Sequence, residues 1–461
     1  MDERMAGLLD QLGIGRPAML PPGNGRLPRR DKRAEVVDRE VEAEPWPEQI
    51  DQAAFHGLAG EIVRTIDPHT EADPVAILGQ TLVAFGNLIG RTSCFRAEAD
   101  CHFGNLFLVL VGSTSKGRKG SSWGQVARVM GQVDEEWAEA RVKNGLSSGE
   151  GVIWAVRDEI VRQEPIREGG RKGGPVVGYE EVIADAGVDD KRLLVVETEF
   201  ASVLKAAARE RNTLSPVIRA AWDTGTLRTL TKNSPAVATD AHISIIGHIT
   251  SDELRRLVTE TDLANGLANR ILWLCVRRSK CLPDGGALND ADLAPLITRL
   301  KYAAAQARSF STICRDDQAR RVWHEVYPAL SEGRPGLLGA ATSRAEAQTM
   351  RLAMLYALLD ESPVIRVEHL MAALALWDYA DRSARHVWGS SFGNSVADAI
   401  IRALREAAPK GLSRTDLRSL FSGHRGADDI TDALTTLVKS GMARCEREET
   451  PGRPKEVWYA T

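Results

Sequence analysis

Cysteine is scarce, with six in 461 residues, at positions 94, 101, 275, 281, 314 and 445. None forms a C-x-x-C pair and no Cys/His group has zinc-ligand spacing. That pattern excludes a zinc ribbon or a disulfide framework and leaves scattered, reduced thiols. Long apolar runs are also missing. Runs such as Leu106–Val111 are strand-sized and far short of the roughly 20 residues that cross a bilayer. Met1–Pro17 lacks the basic start and apolar core of a secretory signal. The expectation is a soluble, cytoplasmic protein with no membrane partner. Excess positive charge is absent too: 59 Lys and Arg stand against 63 Asp and Glu, a net charge of -4. A nucleic-acid surface must therefore be local, or assembled from several subunits. No repeat of solenoid period occurs. What is present is a 43% hydrophobic content, ample for a large core and more than one domain.

Residues 1–45 are rich in Pro, Gly, Arg and Glu around Arg16–Pro45 and read as a flexible N-terminal tail. From Trp46 the pattern changes. Ile50–Ile66 and Pro74–Leu88 carry apolar residues at helical spacing, and Ser93–Ala97 reads as a strand. Leu106–Val111, Leu193–Val196, His242–Ile249 and Ile271–Val276 are apolar at nearly every position, as strands buried on both faces of a parallel sheet are. Alternation with helical stretches gives an α/β core over 46–281. Beyond Lys280 strand signals fade, and Asp290–Phe310, Asp316–Ser331, Ala340–Asp360 and Val367–Val387 suggest an all-helical, lid-like subdomain over 282–390. Residues 391–461 then show three helices and two short strands, a winged-helix pattern.

The stretch Gly112-Ser-Thr-Ser-Lys-Gly-Arg-Lys-Gly-Ser-Ser122 follows a buried strand and precedes a helical run, Trp123–Trp137. Phosphate binding needs small residues whose N–H groups converge, a lysine for the charge, a hydroxyl for Mg²⁺ and a helix N-terminus. All are present, so Gly112, Ser113, Thr114, Ser115, Lys116, Gly117, Arg118, Lys119, Gly120, Ser121 and Ser122 are candidate ATP contacts. The spacing departs from G-x-x-x-x-G-K-[ST]: Arg118 precedes Lys119, and Gly120 separates Lys119 from Ser121. Either the loop is one residue longer or Lys116 shares the role of Lys119.

Arg192–Phe200 is a buried strand that ends in Glu197 and Glu199. On an extended strand these two carboxylates share a side, as suits one acid at Mg²⁺ and one orienting water. The alternative is an acidic strand exit to solvent. His248, near the end of His242–Ile249, is either a γ-phosphate sensor or a core histidine. Arg270, before Ile271–Val276, is either an arginine finger reaching the next subunit or the partner of a local salt bridge. Gly145–Gly151 is either a loop near the site or a plain connector.

Taken together, Gly112–Ser122, Gly145–Gly151, Leu193–Phe200, Asn212–Pro216, His242–His248 and Asn265–Arg270 resemble a helicase-like P-loop ATPase family of unknown function. Its members occur in phage, plasmid and island replication modules, often with primase-polymerase domains. The resemblance covers roughly Trp46–Gly389. It implies a RecA-like or AAA+-like core and a homo-oligomer, a hexameric ring, with ATP and Mg²⁺ as cofactors. By resemblance to the minichromosome-maintenance helicases, Arg270 takes the finger position and Arg344 the second-sensor position.

These readings make Lys119, Glu197, Glu199, His248 and Arg270 the candidate catalytic residues, with Ser121 and Glu197 at Mg²⁺. The expected partners are single-stranded or forked DNA and a primase or other replication protein. The expected function is an ATP-dependent nucleic-acid motor, a ring-forming replicative-type DNA helicase of a phage or other mobile element; the alternatives are a nucleotide-binding switch or scaffold that does not translocate, and a DNA-binding replication initiator. In the C-terminal module Asp428, Asp429 and Asp432 on the third helix would repel phosphate. Arg414, Arg418, Arg425, Arg444, Arg447, Arg453 and Lys455 supply positive charge elsewhere, so DNA contact by the wing and packing on a partner protein both remain open.

Overall fold

The computed structural model describes residues 45–113, 117–167, 175–229, 236–258, 266–334, 336–389, 394–421, 425–449 and 455–461. The tail to residue 44, Thr114, Ser115 and Lys116 of the glycine-rich loop, and Pro451, Gly452, Arg453 and Pro454 of the C-terminal turn lie outside the described residues.

At the centre is a five-stranded sheet in which every pairing is parallel. Its strands are β1 (Phe107–Gly112), β2 (Val142–Lys143), β3 (Arg192–Glu197), β4 (His242–Thr250) and β5 (Ile271–Cys275), in the spatial order β5–β1–β4–β3–β2. The unbroken apolar runs follow from this position, since β1 and β5 are buried at every residue. Helices cover both faces. On one face lie α1 (Gly57–Ile66), α2 (Pro74–Ile89) and α3 (Lys119–Val133); on the other lie α4 (Gly149–Ala155), α5 (Phe200–Ala207), α6 (Leu214–Asp223) and α7 (Ser251–Leu257). Alternate residues divide accordingly, with Leu108 and Leu110 in the first core and Phe107, Val109 and Val111 in the second.

The structure corrects the expected lid. Helices α8 (Asp290–Ser309), α9 (Asp317–Ser331), α10 (Ala345–Leu359) and α11 (Val367–Trp388) form where periodicity predicts them. Their apolar faces nevertheless share one continuous core with α1, α2 and the sheet. The boundary at 281/282 therefore does not divide the hydrophobic interior. Nor is this part all helical: Thr312–Arg315 and Val364–Ile365 pair in parallel and join Cys94–Ala97 and Asp100–Phe103 in a second sheet.

Between α4 and β3 an antiparallel hairpin, Ile160–Arg167 with Val176–Asp185, leaves Val177, Tyr179 and Ile183 largely exposed. The C-terminal part has its own core, built by α12 (Ser395–Glu406), α13 (Arg414–Ser419), α14 (Ala427–Lys439), β6 (Ala443–Glu448) and β7 (Lys455–Ala460). Leu412–Ser413 adds a third strand beside β7. No helix among the described residues is long and apolar enough to cross a membrane.

Candidate functional site

The carboxyl ends of β1, β3 and β4 bring together most of the residues singled out from sequence, because ligands of such sheets bind where parallel strands end and helices begin. β1 ends at Gly112, and α3 starts at Lys119. Its N-cap, Arg118, has φ 53°, a left-handed conformation that costs a non-glycine residue about 1–2 kcal/mol. Consecutive side chains diverge there. Arg118 turns outward to an ion pair with Glu71, Nε to Oε2 2.6 Å, so this candidate phosphate contact is held outside the loop. Lys119 turns inward and is buried. Burial pulls its pKa down, and Glu253 and Glu199 push it back up. Lys119 therefore sits in the field of residues that follow β3 and β4, which is how one ammonium comes to serve three strand ends.

The two serines of the helix start divide their roles. Ser122 is buried and its hydroxyl donates to the Lys119 carbonyl at 2.6 Å. Ser121 faces solvent. A Cβ built on Gly120 meets nothing within 4 Å among the described residues, so they leave the first turn of α3 uncovered at that point. Gly117 is buried, and Gly112 closes β1.

Glu197, the last residue of β3, is buried, and its Oε1 accepts the Leu146 N–H at 2.5 Å. This assigns Gly145–Gly151 to the site: its backbone clamps the acid. The same-side reading of Glu197 and Glu199 is corrected. β3 stops at Glu197, the chain turns at Thr198, and Glu199 becomes the exposed N-cap of α5. The turn breaks the two-residue alternation, and Glu199 acts on Lys119 only through its charge, from the helix start. Gly247 in β4 lies beside Glu197 in register, and a Cβ there would stand 2.5 Å from the Phe200 ring. Glycine lets α5 begin close against the sheet.

His248 is level with Leu110 of β1, and its Nε2 lies 3.0 Å from the Gln80 side-chain amide on α2. Burial, with Lys119 adding to it, lowers its pKa to about 4. It is neutral at pH 7 and offers a hydrogen bond, not a charge. Gln80 and Glu253 escaped the sequence reading. Gln80 had a signal, a polar residue inside the otherwise apolar run of α2; Glu253 had none beyond its place in a capping box with Thr250.

Arg270 and Arg344 lie elsewhere. Arg270 precedes β5 at the amino end of the sheet, and Ile271 is level with Phe107, the first residue of β1. The six residues of β1 separate that edge from the phosphate loop by about 20 Å at 3.3 Å each. Neither arginine can act on its own chain's loop. Arg270 donates to Asp223 through Nε (3.2 Å) and Nη2 (2.5 Å) and is buried. A finger needs its guanidinium at the surface, so the bound, buried Arg270 fits that role poorly in this conformation. Arg344 is closer to the requirement: its side chain is 34% exposed, and Nη1 stands 3.4 Å from Asp223. Arg351 completes the group. It is fully buried, donates to Asn105 and to the Trp222 carbonyl, and stacks 3.7 Å from the Trp222 ring centroid.

Among the described residues one group has metal-ligand composition: His56, Asp360 and His369. Its hydrogen bonds argue against a metal. The His369 Nδ1 accepts the Arg366 N–H at 3.0 Å, so the ring proton belongs on Nε2, which faces Asp360 at 3.4 Å. A metal at that Nε2 would require an imidazolate. The cluster is a hydrogen-bonded strut in which Asp360 also accepts from His56 at 2.7 Å.

No family model matches this chain, and no curated protein matches it.

Proposed function

We propose that the chain is an ATP-hydrolysing P-loop motor that assembles as a ring and acts on DNA, in the manner of a replicative helicase. The observation that carries this reading is the convergence at one sheet edge of a glycine-rich loop, a buried lysine at a helix N-terminus and an acid at the end of β3. β4 stands between β1 and β3, so the loop and Glu197 are two strand spacings apart, about 10 Å. That interval suits a triphosphate terminus and an attacking water. Lys119 would neutralise the β- and γ-phosphates while α3 presents its first N–H groups to them.

The donor set fits Mg²⁺, a hard ion that takes oxygen ligands and keeps several waters. The exposed Ser121 hydroxyl and the Glu197 oxygen not facing Leu146 would hold it, and the ion would offset charge on the phosphates. Glu199, which stands at the mouth of the site, would orient water. His248, neutral and hydrogen-bonded through Gln80, would meet the γ-phosphate as an uncharged partner.

Arg344, about 20 Å from this edge, would act on nucleotide held by another copy, with Arg270 joining it only once released from Asp223; the opposed edges support a head-to-tail assembly. The described residues from 394 to 461, three helices with a small antiparallel sheet, support the winged-helix reading. In a strand-displacement assay the motor unwinds forked DNA with hydrolysis stimulated by single strands. Hydrolysis indifferent to DNA, with no unwinding, would instead favour the nucleotide switch, to which the engagement of Arg270 by Asp223 lends weight.

A further inference from the structure

Arg118 is one of the two residues that break the G-K-[ST] spacing, and its surroundings give it a different task. Its guanidinium is paired with Glu71, on the segment that leads into α2. Glu71 is only 12% exposed and takes more than this one partner. Its Oε1 accepts the Leu282 N–H at 2.8 Å and pairs with Arg278. Arg278, Leu282 and, to a lesser degree, Arg118 hold its pKa down near 2, so it is a carboxylate throughout the working range.

The same segment is stitched to the chain that leaves β5. Ser279 N–H donates to the Glu71 carbonyl at 3.0 Å and its hydroxyl to the Ala72 carbonyl at 2.9 Å. Lys280 pairs with Asp67 at 2.7 Å, and Arg277 N–H donates to Asp73 at 2.9 Å. Glu71 is thus a fixed anion anchored on two sides, and Arg118 is the one described loop side chain tied to it.

We propose that Glu71 and Arg118 are positioning residues for phosphate binding: the pair locks residue 118 in its left-handed conformation, and that lock aims Lys119 into the site. A non-glycine residue holds such a conformation only where its surroundings over-determine it. The inserted arginine is then a strut on the outside of the loop, and the lysine after it takes the inward position. This rests on the phosphate-loop reading and adds to it a mechanism for the irregular spacing.

The two roles open to Arg118 differ in sign. If it is a strut, Glu71→Gln and Arg118→Ala each weaken binding of a fluorescent ATP analogue, by about tenfold. The double variant is then no weaker than Glu71→Gln alone, since Arg118→Ala removes a contact that Glu71→Gln has already broken. Arg118→Lys recovers part of the loss, and KM for ATP rises while kcat at saturation holds. If Arg118 is instead a phosphate ligand competed for by Glu71, Glu71→Gln frees it and binding tightens. Opposite signs, additive losses or unchanged binding each overturn the proposal. Melting of each variant without nucleotide separates loop misplacement from unfolding. A wild-type chain that binds no nucleotide would remove the phosphate-loop reading itself, which is a different result from wild-type binding with the wrong variant pattern.

Discussion

Buried histidines make the residue scale testable without any assumption about ligand. His248 is held neutral down to about 4 and His242 down to about 3, in both cases chiefly because burial disfavours the charged ring. An unfolded chain protonates histidine near 6.5. Below that pH the unfolded state binds more protons than the folded one, so stability falls as pH drops, until the folded pKa is reached. His56 runs the other way. Its hydrogen bond to Asp360 raises its pKa, so its contribution is full below 6.5 and fades as pH rises through the folded value. From pH 7 to 5, His248 and His242 together cost roughly 4 kcal/mol, at about 1.4 kcal/mol per unit for each. Denaturant melts at the two pH values should show a His248→Gln variant losing about 2 kcal/mol less than wild type. An identical loss would mean that His248 is not held neutral by the fold.

At the scale of elements, the close seat of α5 on β4 depends on Gly247. Gly247→Ala places a methyl against the Phe200 ring and should destabilise the chain by about 1–3 kcal/mol. Phe200→Leu in the same chain should return part of that, measured as thermal midpoints. Additive losses in the double variant would contradict the contact. The same elements show how far sequence carries. β1, β3, β4 and β5 were legible because strands buried on both faces are apolar throughout, and Lys119, Glu197 and His248 were legible because they stand where those strands end. β2 was not, because two residues, Val142–Lys143, give no periodicity. The hairpin of Ile160–Arg167 with Val176–Asp185 was missed because the residues of its strands are mostly exposed and mixed in character. The pairing of Glu71 with Arg118, and of Asp223 with Arg270 and Arg344, joins residues about fifty or more positions apart. No local pattern encodes such pairs. The helices after Lys280 were found, but periodicity shows only that a helix has an apolar face, not what covers it, and so a separate lid was expected where the core is continuous.

At the scale of the whole molecule, the loop edge and the arginine edge lie about 20 Å apart, too far to serve one nucleotide within a chain, so the proposed function predicts assembly. Lys119→Ala chains keep their arginines, and Arg344→Ala chains keep their phosphate loop. Each alone should fail to hydrolyse ATP, while an equal mixture should regain activity at about one interface in four, the share that pairs an intact loop with an intact arginine at random. Arg344→Ala chains that hydrolyse at the wild-type rate would contradict this. The proposed function depends on the glycine-rich loop binding phosphate through Lys119. Titration of ATP with Mg²⁺ by calorimetry, on wild type and on Lys119→Ala, tests that directly. The account predicts saturable binding by wild type and a loss of roughly ten- to a hundredfold in the variant, the scale of a charged hydrogen bond. Equal affinity in the two proteins, with the variant folded, would contradict it.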